Sequence, residues 1–224
     1  MKPVVAIFAH PDDETAMSGT LAQLAKSHQV YILCATSGDA GENHHNSNKE
    51  ELLMLVREDE LRASASTLGI QHVSFLGFKD GSLCNNVYHD LARKIKNKLD
   101  EIKPDTVFTF EPRGISGHID HIVVSHVVSY LFKQLSYLQA IMYSCWSDKQ
   151  RQIVEKLPDY FIYFPPGYKK SDVDQIIDIT DVWDKKIASL KCHLSQKKDV
   201  EEFMLPVYQG SPKEEYFLVK KKVI

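Results

Sequence analysis

Unbroken apolar runs alternate with stretches of helical spacing along the first two thirds of the chain. Residues 4–9 (VVAIFA) and 30–35 (VYILCA) contain no charged or amide side chain. Runs of this length, rich in β-branched residues and lacking polar alternation, predict strands covered on both faces, as in a parallel sheet. Between them Met17, Leu21, Leu24 and Ala25 recur at helical spacing, which completes a βαβ unit. Residues 52–68 predict a helix stopped by Gly69, and residues 72–76 a third strand. A helix over 91–102 closed by Pro104 leads to a fourth strand at 106–110. A helix over 122–135 and a fifth strand at 139–145 follow. Beyond that the pattern weakens, with extra strands expected at 160–164 and 216–219 around a helix over 181–194.

Such alternation predicts an α/β fold of the doubly wound, Rossmann-like kind: a mostly parallel sheet with helices on both faces and right-handed crossovers. In the common strand order 3-2-1-4 the topological reversal lies between strands one and four. Ligands bind outside the carboxyl ends of the strands at that point. Residues 37–49 are polar, with Gly38, Gly41 and three asparagines, and read as a long loop leaving strand two beside that crevice, suited to act as a lid.

Composition narrows the classes. The 224 residues are 43% hydrophobic and 25% charged, as in an ordinary soluble globular protein, and no Gly/Ser/Pro linker divides them, so a single domain over 1–224 is expected. Lys and Arg total 27 against 30 Asp and Glu, a formal net charge of −3, which argues against a nucleic-acid or anionic-membrane partner. The apolar runs are strand-sized, far short of the roughly 20 residues a bilayer demands, and no charged-then-apolar leader precedes them. Cys34, Cys84, Cys145 and Cys192 are scattered without a CxxC, so neither a disulfide framework nor a thiolate metal site is expected. A cytoplasmic location fits these features, and a homo-oligomer is compatible with them.

The suspect loops carry metal-type side chains. His10-Pro11-Asp12-Asp13-Glu14 follows strand one, and Gly117-His118-Ile119-Asp120-His121 follows strand four. Adjacent strands lie roughly 4.8 Å apart, so the two loops face one crevice. A catalytic zinc site takes three protein ligands and leaves a position for water; His10, Asp13 and His121 meet that count. Neighbouring residues in a tight turn point different ways, which leaves Asp12 free to accept a proton. His118 lies one helical turn before His121, and Asp120 is placed to orient one of these imidazoles. The competing view makes Asp12, Asp13 and Asp120 helix caps of a non-catalytic nucleotide- or sugar-binding module. The glycine-rich phosphate fingerprint that a dinucleotide fold requires after strand one is absent.

These two segments resemble the paired signatures of the PIG-L/LmbE family, zinc-dependent de-N-acetylases acting on N-acetylglucosamine-type sugars. Residues 36–42, 57–69, 76–81 and 193–196 resemble the family in the same order. The resemblance implies zinc held by His10, Asp13 and His121, with Asp12 as general base. His118 would stabilise the oxyanion or protonate the leaving amine, Asp120 would hold His118, and Arg57 would contact substrate. The substrate would be a small-molecule amino sugar, and the product acetate; a zinc amidase acting on another amide, such as a thiol conjugate, is the alternative. Two departures stand out. Ile119 occupies a position where many relatives carry Pro, and no Tyr lies near His118 in residues 113–116. Adjacent His44 and His45 are read as solvated loop residues rather than ligands, and His126 as a core or interface histidine.

Overall fold

The computed structural model describes residues 2–44, 52–156 and 164–222. Its first strand, β1 (Val4–Phe8), is buried at every position. Val4, Ala6 and Phe8 pack into one core layer and Val5 and Ile7 into the other, which is the period of two expected of a central strand. Next come α1 (Ser18–Ala25), β2 (Val30–Thr36), α2 (Leu53–Leu68), β3 (His72–Phe78), α3 (Tyr88–Ile102), β4 (Thr106–Phe110), α4 (Ile119–Gln134) and β5 (Ala140–Cys145). After β5 lie α5 (Asp148–Val154), β6 (Gln175–Asp178), α6 (Trp183–Leu190), α7 (Lys197–Asp199), a π-helical turn (Val200–Met204), α8 (Leu205–Gln209) and β7 (Glu214–Lys221).

The seven strands form one sheet in the order β3-β2-β1-β4-β5-β7-β6. β1 pairs in parallel with β2 and with β4, so the predicted reversal between strands one and four is present. β7 runs antiparallel to both β5 and β6. Leu21, Leu61, Ala65 and Leu190 bring α1, α2 and α6 onto one face. Leu91, Ile95, Val124 and Val128 bring α3 and α4 onto the other.

Local signals set the boundaries. α2 ends where Gly69, at φ 87°, donates to the Ser66 carbonyl while Ile70 donates to Ala65, a left-handed cap that glycine adopts without strain. The late part of the chain departs from expectation. The expected strand at 160–164 falls on residues of which 160–163 lie outside the described set, and Phe164 belongs to no element. The strand that is present instead, β6, is only half-buried at Ile176 and Ile177 and exposed at both ends. Among the described residues, no helix is long and apolar enough to cross a membrane.

Candidate metal centre

The chain leaves β1 through Ala9 and His10 and turns at Asp12, whose φ of 99° lies in the left-handed region, before a 3-10 turn at Asp13–Met17. A non-glycine residue there is strained, and such strain is kept where the surroundings over-determine it. The turn aims adjacent carboxylates apart, as anticipated. Asp13 Oδ2 turns inward and accepts the N–H groups of Ala9 and His10 at 3.0 and 2.8 Å. Asp12 Oδ2 turns the other way, to Arg57 at 2.9 Å.

The loop after β4 is also bent through left-handed positions, at Gly114, Ile115 and Gly117. A Cβ at Gly114 would lie 2.8 Å from Ile122 Cγ1 and 3.1 Å from the His118 carbonyl, so only glycine allows this approach to α4. The Gly114 carbonyl lies 3.1 Å from His121 Nδ1, with the Ser116 hydroxyl at 3.3 Å. A carbonyl only accepts, so the His121 proton sits on Nδ1 and Nε2 presents a lone pair.

Three donors then converge. His121 Nε2 lies 3.0 Å from Asp13 Oδ1 and 3.1 Å from His10 Nδ1, and His10 Nδ1 lies 3.6 Å from Asp13 Oδ2. Ligand atoms at roughly 2.0–2.1 Å from a tetrahedral ion stand roughly 3.3 Å apart, so this spacing fits a metal. The far nitrogen of His10 is also held: Nε2 meets Asp80 Oδ1 at 2.9 Å and Asp120 Oδ2 at 3.3 Å. Two imidazole nitrogens therefore face each other with their rings' other nitrogens engaged by acceptors, an arrangement that either a shared proton or a metal cation completes. His118 stands beside them, its ring centroid 4.7 Å from that of His10 and 5.0 Å from that of His121.

Burial works against a charge on His10, but Asp120, Asp80 and Asp13 outweigh it and raise its pKa to about 10. Burial likewise opposes ionisation of Asp13, yet His121 and His10 hold its carboxyl well below the usual range. For Asp12 burial wins over Arg57 and lifts the carboxyl to about 6. Burial, with His121 and His10 alongside, lowers His118 to about 4.

His10, Asp12, Asp13, Arg57, His118, Asp120 and His121 all lie at this centre, Asp120 in an unexpected way, whereas His126, read as a core or interface histidine, is exposed on α4. Asp120 supports His10 with its side chain and fixes the 81–83 loop through the N–H groups of Gly81 and Leu83, at 2.9 and 3.1 Å. Its hold on His118 comes from the backbone: the Asp120 N–H donates to His118 Nδ1 at 3.1 Å. His118, not Asp120, is thus the N-cap of α4, and Asp12 makes no side-chain cap either, so the capping view of these acids does not hold. Arg57 is 4% exposed and donates to the Pro11 and Gly38 carbonyls as well as to Asp12.

Asp80 is the residue that sequence reasoning missed. It follows β3 within residues 76–81, a stretch already noted for its family resemblance, but its partner His10 is seventy positions away and nothing local joins the two. His44 lines the cavity and is anchored by its N–H to the Ser195 carbonyl at 2.8 Å; His45 lies outside the described residues.

The centre opens into a cavity of about 460 Å³, within the usual range for small-molecule sites. Its lining includes the polar side chains of Asp12, Glu42, Arg57, Asp80 and Gln196 and the apolar ones of Phe110, Ile115, Trp146, Phe203 and Val207.

A family profile described as "PIG-L: GlcNAc-PI de-N-acetylase" matches residues 5–132. A probable N-acetyl-α-D-glucosaminyl L-malate deacetylase 2 of Bacillus anthracis is 32% identical over 130 residues, covering 56% of this chain and 57% of that protein. Its namesake in Bacillus cereus is 26% identical over 89% of this chain and 86% of that protein. Among solved structures, N,N'-diacetylchitobiose deacetylase from Pyrococcus horikoshii superposes with a TM-score of 0.68 at 22% identity, over 98% of this chain and 84% of that one. The 4-carboxy-2-hydroxymuconate hydratase GalB of Pseudomonas putida also scores 0.68, at 18% identity, over 100% of this chain and 98% of that one. At these identities the structural likeness speaks for the fold; one fold hosts more than one chemistry.

Proposed function

The chain belongs to the PIG-L family of de-N-acetylases, and from that premise we propose that it hydrolyses the acetamide of an N-acetylglucosamine-type sugar or sugar conjugate, releasing acetate. The observation that carries this reading is the convergence of His10 Nδ1, Asp13 Oδ1 and His121 Nε2, with both histidines' far nitrogens held by acceptors. Two imidazoles and a carboxylate suit zinc, which is the ion we assign to the site. Bound there, it supplies Lewis acidity toward the amide carbonyl and a water acidic enough to ionise near neutral pH.

The protein groups divide the remaining work. Asp12 is not among the converging donors, and a carboxyl with a pKa of about 6 is suited to take the proton of the attacking water. His118 has its Nδ1 occupied by the Asp120 N–H, so its proton sits on Nε2; with its pKa lowered to about 4 the ring is a neutral donor. That favours a hydrogen bond to the oxygen on which charge develops, and leaves Asp12 to return its proton to the departing amine. Arg57 fixes the Asp12 carboxylate and lines the cavity within reach of a sugar hydroxyl.

The test is amine and acetate release from a panel of acetylated amino sugars and other amides, with metal content measured in parallel. Turnover of the sugars that a chelator abolishes and zinc restores supports the reading. Turnover of other amides alone, or turnover indifferent to chelation, overturns it.

A further inference from the structure

Glu14, Ser64 and His193 are buried at 0%, 0% and 1% exposure, come from three distant segments, and take no part in the chemistry above. They meet at one carboxylate. Glu14 Oε1 accepts the Ser64 hydroxyl at 2.5 Å and pairs with His193 Nε2 at 2.8 Å, while Oε2 accepts the backbone N–H of Asp12 at 3.0 Å. The other ring nitrogen of His193 has no hydrogen-bond partner among the described residues, so the polar duty of this ring is Glu14.

Burying a carboxylate and an imidazole this deeply is costly, and an apolar pair of similar volume stabilises a core as well or better. Their position explains why they are there. Asp12 holds a φ of 99° that its side chain disfavours. Its carbonyl is gripped by the Thr15 N–H and hydroxyl at 3.0 and 2.6 Å, its carboxylate by Arg57 at 2.9 Å, and its N–H by Glu14. Remove the Glu14 carboxylate and a part-buried N–H loses its acceptor in the strained conformation. We propose that Glu14, itself fixed by Ser64 and His193, is a positioning residue that holds Asp12 in the left-handed turn and so sets the aim of the base. The inference rests on the reading of Asp12 as base.

Replacing Glu14 with Ala should lower kcat about 10- to 100-fold, the usual effect of removing a group that orients a catalytic side chain. KM and bound metal should stay near the parent values. Glu14→Gln keeps an acceptor for the Asp12 N–H and should recover most of the loss. The decisive measurement is a double-mutant cycle with Asp12→Asn. If Glu14 acts through the base, Glu14→Ala costs nothing further in the Asp12→Asn background. Equal losses in both backgrounds, or metal lost in step with activity, overturn the inference and leave the base assignment standing. An Asp12→Asn variant with parent turnover overturns the base itself. Should Glu14→Ala fail to fold, His193→Leu reads the same cycle with a smaller loss. Independently of activity, a crystal structure of either variant should show residue 12 out of the left-handed region; an unchanged turn still paired to Arg57 contradicts the proposal.

Discussion

His118 Nδ1 accepts the backbone N–H of Asp120, so one imidazole both caps α4 and stands beside His10 and His121 at the proposed metal centre. Histidine is not among the favoured N-caps, and its presence there ties the ring's tautomer to the start of the helix. The cap occupies Nδ1 and so fixes the remaining ring proton on Nε2.

The two duties of His118 are separable. His118→Ala should cost about 1 kcal/mol through the lost cap, lowering Tm by about 2–4 °C in a chain of this size, and should reduce kcat by about 10²- to 10³-fold. His118→Asn restores a preferred cap and should recover the Tm while kcat stays low. Thermal unfolding and steady-state kinetics on both variants check this; an Asn variant with parent activity would remove the ring from the mechanism.

Asp80 should matter for metal rather than for chemistry alone. Its carboxylate lies 2.9 Å from His10 Nε2 and accepts the Ala40 N–H at 3.2 Å, so it fixes the orientation of a proposed ligand. Asp80→Ala should weaken zinc affinity about 10- to 100-fold, measured by competition with a chromogenic chelator. Unchanged affinity would restrict Asp80 to lining the cavity.

The legible and illegible parts of this protein differ in range. β1 and β4 were legible because central strands are buried on both faces and need unbroken apolar runs, and the reactive loops followed directly at their ends. β6 was not, because Gln175–Asp178 is a short edge strand whose two apolar residues are only half-buried. His10, Asp13 and His121 could be read from two compact motifs. Asp80 supporting His10, and His193 supporting Glu14 from 179 positions away, are tertiary pairings with no local periodicity. The motif left open which imidazole Asp120 orients and the resemblance implied His118; its side chain meets His10 and its backbone N–H meets His118, because sequence does not show which way a side chain turns at the mouth of a helix.

The loop after β2 should act on substrate and not on metal. Ala40, Gly41, Glu42 and His44 line the cavity, and His44 Nε2 faces Glu42 at 3.3 Å. Replacing His44 and His45 together by Ala should leave zinc content unchanged and alter KM or substrate preference. A variant purified with much less zinc than the parent would place a ligand in this loop.

The most direct test of the account compares bound metal in Asp12→Asn and Asp13→Asn, two isosteric changes at adjacent positions. The side chains diverge, Asp12 to Arg57 and Asp13 to His121 at 3.0 Å. Elemental analysis of the purified variants should find about one zinc per chain in Asp12→Asn, with turnover reduced about 10²- to 10⁴-fold, and strongly depleted zinc in Asp13→Asn. Full zinc in Asp13→Asn, or zinc lost from Asp12→Asn, would contradict the division between ligand and base on which the mechanism stands.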